Sequence, residues 1–297
     1  MDYKEIIYEK EGEIARITLN MPEKLNPMGQ LMLDEIRNAL EEAKEDEDIK
    51  VVIFRGAGRA FSSGHKLEDL AMWYGWSTEK KKRPETQEFK LRRDERMSQL
   101  WHYIYYFPKT TIAQVHGICA GSGLSLAIVT DLTIASEDAE FSHVENRMGH
   151  GGPTYVLPYE IMLIGPKKTR ELSLTTKVID AREAERIGLV NYVVPRDKLD
   201  EEVDKLAKTI CLEPADGLAA GKVYMRQVMD AFGLSTAYAS GYVHHTIFNN
   251  MRLKPGEFNF FKAGAEAGGG MRGLLNAQHT RATQYEALGV KGFSKKK

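Results

Sequence analysis

The chain has 297 residues, 42% of them hydrophobic and 28% charged, and its 41 basic and 42 acidic side chains leave a formal net charge of −1. That length suits one large domain or a core with a smaller appendage, and the balance of charge supplies no basic field for nucleic acid. Two cysteines without metal-ligand spacing form no disulfide framework, the N-terminus lacks an apolar signal core, and no run reaches the ~20 apolar residues of a membrane helix. A cytoplasmic protein with no membrane, nucleic-acid or metal partner is expected.

Residues 4–8 and 13–19 read as two strands around a Glu11-Gly12 turn. Met32, Leu33, Ile36, Leu40 and Ala43 then recur at helical spacing, and the nearly all-apolar run 51–55 has the character of a strand covered on both faces. It leads through the glycine-rich segment 56–65, which includes Ser63, Gly64 and His65, into a helix-like stretch beginning at Leu67. Residues 77–96 are dense in charge and read as a solvated excursion, after which Met97, Leu100, Trp101 and Ile104 form a helical stripe.

A further strand, 111–115, leads through a turn containing Gly117, Gly121 and Gly123 into a helix that ends near Asp131. Glycine admits positive φ and close approach, and the first amides of a helix lack intrahelical acceptors and attract negative charge, so such a turn can hold an oxyanion. Because the loop at 56–65 has the same design, two amides from two loops can converge. Short strands follow at 132–135 and 140–142, then a glycine-rich bend with His150. From about residue 157 helical patterns dominate, at 167–174, 181–187, 198–210, 215–229 and 236–249. The five glycines of 264–273 read as a flexible loop. The alternation points to an α/β fold, with a core over 1–200 and a helical region over 201–297.

Taken together, Ile14-x-x-Ile17-x-Leu19-Asn20 with Pro22 to Asn26-Pro27, the loop 56–67, the segments 116–131 and 141–152, and Gly188-Leu189-Val190-Asn191 resemble, in their order, the crotonase superfamily, the enoyl-CoA hydratase/isomerase family. The resemblance implies a spiral of ββα units carrying a helical C-terminal region that serves trimerisation and caps CoA, and it implies a homotrimer or homohexamer. It implies an acyl-CoA substrate, with coenzyme A as part of the thioester and no separate cofactor. The amides of His65 and Ser122 would hold the thioester oxygen of an enolate. The first of the hydratases' two glutamates is replaced by Ser125, and the second matches Glu145, leaving one carboxylate as acid and base.

By the same resemblance Lys24 lies near the CoA phosphates and the region of Arg281 reaches a neighbouring CoA. Ser63, Gly64, Leu67 and Gly121 border the substrate. Trp73, with Tyr74 and Trp76, lines a pocket for a flat or ring-bearing acyl group, and His150 remodels it. Hydratase-lyases for hydroxycinnamoyl-CoA pair a serine with a glutamate in this way and add a tyrosine from the helical tail, for which Tyr238 and Tyr242 are candidates. Hydration, isomerisation and hydratase-lyase chemistry remain open, and so does C–C or thioester hydrolysis on the same scaffold. Other readings make Glu145 a salt-bridge partner of Arg147, join His65, His143 and His150 in a proton relay, or make the chain an RNA-binding relative that uses 80–93.

Overall fold

The computed structural model describes residues 2–73, 86–149, 152, 154–248, 250 and 254–294, apart from the side chains of 71–73. The expectations for Trp73, Tyr74, Trp76, His150 and the basic run 80–83 fall outside what is described. Among the described residues, β1 (Ile6–Glu11), β2 (Ile14–Leu19), β3 (Val51–Gly56), β4 (Thr110–Val115), β6 (Leu132–Ser136) and β9 (Tyr192–Val194) form one sheet in the order β1-β2-β3-β4-β6-β9. Only β1 runs antiparallel to its neighbour. A smaller sheet, β5-β7-β8, is built from β5 (Ile118–Ala120), β7 (Glu140–Ser142) and β8 (Ile179–Asp180). The chain turns from the first sheet to the second at His116 and Gly117, so strand pairs and helices wind as a spiral.

The pleat sends alternate residues of the large sheet to opposite faces. Ile14, Val51, Ile53, Ile112 and Ile134 meet Leu199, Val203, Ala207 and Cys211 of α7 (Leu199–Cys211). Val52, Phe54, Ala113, Val115 and Ala135 face the main core with α1 (Gln30–Glu45), which buries the periodic positions Met32, Leu33, Ile36, Leu40 and Ala43 and also Ala39. Both faces are therefore covered, as parallel strands require. A boundary at residue 200 falls inside α7, which packs on the sheet.

Two segments differ from their sequence reading. The charged run 87–96 is helical, the first half of α3 (Gln87–Tyr105) behind the short α2 (Leu67–Trp73). Thr86 caps it by accepting from the Phe89 amide, and the apolar stripe Met97, Leu100, Trp101 and Ile104 buries its second half, which carries the charged turns with it. Its charges are partly neutralised, with Arg93 Nε 3.0 Å from Asp94 Oδ1 and Arg92 Nε 3.6 Å from Glu88 Oε1.

Likewise, 264–273 is a helix crossing. After α4 (Ser122–Val129), α5 (Leu157–Thr175), α6 (Ala181–Arg186), α7, α8 (Ala215–Ala231) and α9 (Leu234–Phe248), the chain forms α10 (Phe260–Glu266) and α11 (Gly270–Ala287). A Cβ on Gly273 would overlap the Gly264 carbonyl, so these glycines let the two helices touch while Phe260, Phe261, Leu274 and Ala277 close a small core. Arg281 packs over Phe258 and Tyr285 of its own chain.

Candidate active site

The loop after β3 is tied down by Asn26. Its side-chain amide donates to the Ala57 carbonyl at 2.8 Å and the Ala60 carbonyl at 2.9 Å, and its own carbonyl accepts from Ser62 Oγ at 2.7 Å. The next residues pair with the second loop. Phe61 N donates to His116 O (2.8 Å), Ser62 N to Ile118 O (3.0 Å) and Ala120 N to Ser62 O (3.0 Å). This short ladder fixes the two loops side by side.

Gly64 and Gly121 meet at its end. Gly121 has φ 48° and ψ −117°, a conformation open to glycine, and a Cβ built on it would lie 3.5 Å from Gly64 Cα, 3.5 Å from Val144 Cγ2 and 3.6 Å from Glu145 Oε1. Gly123 is needed for space, since a Cβ there would come within 2.7 Å of Ser62 Cβ. The Gly64 carbonyl accepts from Met28 N at 2.8 Å, and the Gly64–His65 peptide is trans, so the His65 N–H points away from Met28. Ser122 opens α4, in the turn whose amides have no intrahelical acceptor. Across the gap, His65 Nδ1 lies 3.1 Å from Ser122 Oγ.

A cavity of about 90 Å³ opens at this junction. Gly121, His65, Ser122, Ser125 and Glu145 border it, together with the apolar Leu70, Met97, Trp101, Val144, Met148 and Phe248 and the polar Asp94, Thr154, Tyr155 and His245. Glu145 begins a 3-10 turn, Glu145–Met148, and its side chain is 21% exposed. Burial raises its carboxyl above the usual value of 4.5 and outweighs the opposing pull of His143. His143 Nδ1 stands 3.8 Å from Glu145 Oε2, and its Nε2 is 2.9 Å from Oε2 of the fully buried Glu160. Burial alone would depress this imidazole, but the Glu160 carboxylate, helped by Glu145, carries it above 6.5. His65 goes the other way, lowered to about 3 by burial and by His245, and is neutral at ordinary pH.

The family model for enoyl-CoA hydratase/isomerase matches residues 9–265. The chain belongs to this family, within the crotonase superfamily. The Mycobacterium tuberculosis protein EchA13, which bears the name "putative enoyl-CoA hydratase", is 36% identical over 261 residues, covering 80% of this chain and 78% of that protein. Among solved structures, an enoyl-CoA hydratase/isomerase from Xanthobacter autotrophicus Py2 superposes with a TM-score of 0.80 at 33% identity, over 95% of this chain and 99% of the other. An enoyl-CoA hydratase from Mycobacterium smegmatis, 22% identical, shares the fold with a TM-score of 0.81 over 95% of each chain.

Within this crotonase chain the structure brings together Gly64, His65, Gly121, Ser122, Ser125 and Glu145. Ser125 faces the cavity, but its hydroxyl turns back to the Gly121 carbonyl at 3.2 Å. Arg147 is not the partner of Glu145, because it donates from Nε to Thr176 Oγ1 at 2.8 Å and from Nη2 to Thr176 O at 2.6 Å. Lys24 lies exposed on a surface 3-10 turn, Pro22–Lys24, and Ser63 is held in the loop by donating its amide to Leu25 O. Among the described side chains of α2, Leu70, one turn beyond Leu67, borders the cavity.

Neither candidate tyrosine of α9 lines it. Tyr238 donates to Ser98 Oγ at 3.1 Å and stacks on His102, and Tyr242 is half-buried beside it. The same helix instead contributes His245 and Phe248. Residue 245 is seven beyond 238, on the same face, and that spacing was the available signal. His143 and His65 serve different partners, Glu160 and Ser122, and so are separate groups. Among the described residues no group of three or more His, Cys, Asp or Glu side chains is arranged to hold a metal ion.

Proposed function

We propose that this chain is an acyl-CoA-processing enzyme that stabilises a thioester enolate with the His65 and Ser122 amides and moves a proton with Glu145. The observation that carries the reading is the meeting of Gly64, Gly121 and the Glu145 carboxylate within van der Waals distance of one point. Removing an α-proton from a thioester, or adding a nucleophile at its β-carbon, places negative charge on one oxygen. Fixed amides answer that charge without reorganising, and each is worth on the order of 10²–10³ in rate.

Burial raises this carboxyl above its usual value, so it keeps its proton more readily than an exposed glutamate, which suits a group that gives and takes the same proton. The apolar wall of Leu70, Met97 and Trp101 suits an apolar acyl chain. By family resemblance the CoA phosphates lie toward Lys24. Exposed apolar side chains on α5 and α8, among them Met162, Leu163, Tyr224 and Met225, fit burial against further copies in a trimer or hexamer.

Glu145→Gln removes the proton carrier and preserves shape. Turnover on every member of a panel of aliphatic, alicyclic and aromatic enoyl-CoAs should disappear, while CoA-ester affinity measured by calorimetry changes little. Retained turnover in that variant would refute the assignment.

A further inference from the structure

Glu145 is not the only acid–base group on the wall of the cavity. His245 of α9 borders it, and Nδ1 of this histidine lies 2.8 Å from Tyr155 Oη and 3.4 Å from Asp94 Oδ2. Its ring is stacked on Tyr155 with centroids 4.5 Å apart. Asp94, on α3, is 1% exposed in its side chain, and it accepts from Thr246 Oγ1 at 2.6 Å and from Arg93 Nε at 3.0 Å. Burial would raise this carboxyl, but His245, Thr246 and Arg93 together hold it below the usual range, so it is ionised at working pH.

An ionised carboxylate only accepts hydrogen bonds, so Asp94 favours the imidazole tautomer with the proton on Nδ1, shared with the Tyr155 oxygen as a second acceptor, and the basic lone pair on Nε2. A buried aspartate that orients a histidine in this way makes it a general base. Ser125 adds no such capacity, since a neutral hydroxyl bonded to the Gly121 carbonyl is a poor proton acceptor.

We propose that His245, oriented by Asp94, takes the proton of a water that adds at the β-carbon of an α,β-unsaturated acyl-CoA, while Glu145 serves the α-carbon. This deepens the enolate reading and rests on it. As the water oxygen bonds to the β-carbon, its proton passes to Nε2 and the π-electron pair moves to the thioester oxygen as an enolate. When the enolate collapses, the α-carbon takes a proton from Glu145. His245 then releases its proton to solvent and Glu145 takes one up, so the sum is one water across the double bond. His245 is the catalytic residue, and Asp94 is its positioning residue.

Two rates measured on the same protein separate the roles. One is hydration of whichever member of the enoyl-CoA panel the wild type converts fastest. The other is exchange of the α-proton of its saturated analogue in deuterated water, which needs Glu145 and the two amides but no attacking water. His245→Gln should lower hydration by about 10²–10⁴-fold and leave exchange within about threefold of wild type, and Asp94→Asn should follow the same pattern with KM little changed.

Because exchange is retained, it also reports that the variants are folded. A ratio of hydration to exchange unchanged in both variants, whether both rates persist or fall together, would overturn the assignment. Absence of exchange in the wild type would instead strike the enolate reading and take this inference with it.

Discussion

Replacing Glu160 by Gln isolates the buried charge pair behind the Glu145 carboxyl. His143 is 1% and Glu160 0% exposed, at 2.9 Å, and the variant leaves shape intact while removing the charge that holds the imidazole protonated. Breaking a buried pair by neutralising one partner costs about 3–5 kcal/mol, which in a large domain lowers Tm by about 5–15 °C. The pH dependence gives the sharper test. Since His143 is raised above 6.5 in the folded chain, the stability it contributes is fully present below that value and is lost as pH climbs through the raised one. Thermal melts of wild type and Glu160→Gln from about pH 6 to 9 should therefore converge at the alkaline end. A gap that stays constant or widens with pH would show that His143 is not held as an imidazolium, and the electrostatic account of Glu145 would fail with it.

Gly121→Ala meets no neighbour closer than 3.5 Å, so its strain is that of a side chain at φ 48° and ψ −117°, about 1–3 kcal/mol. Loss of kcat by about 10²–10³ with only a modest fall in Tm is expected, because the Ser122 amide shifts, and an unchanged kcat would contradict its role. Ser125→Ala should keep the rate within about tenfold, since the hydroxyl is engaged with Gly121 O, and a much larger loss would restore it as a catalytic group. The α-proton exchange rate should fall away on the acid side at a pH above 4.5, where the raised Glu145 carboxyl protonates, and a limb at or below 4.5 in the free-enzyme profile would contradict its burial as the cause.

Much of this site was legible in the chain because its logic is local. Glycines stand where a strand turns into a helix, and their positions mark both loops. Glu145 is marked by its match to the second glutamate of the crotonase motif, since a lone glutamate in a polar segment carries no signal of its own. What escaped depends on tertiary packing. Residues 87–96 look like a solvated run because their helix is stabilised by the apolar turns that follow, and within that run nothing marks Asp94 as buried.

Helix α9 drew attention for its tyrosines. Contact with α3 and with the segment around Tyr155 turns its His245 to the cavity, and a Cβ on Gly241 would come within 2.7 Å of Thr154 O, the close approach that sets this orientation. The glycines of 264–273 show the opposite error, since composition suggested a loose loop where close helix contact requires small residues.

The most direct test of the central claim is a crystal structure with an acyl-CoA bound, preferably a thioester that mimics the enolate. The account places its carbonyl oxygen 2.7–3.1 Å from both the His65 and Ser122 amide nitrogens, the reach of oxyanion donors, with the Glu145 carboxyl beside the α-carbon. A carbonyl bound away from these two amides, or an α-carbon out of reach of Glu145, would contradict it.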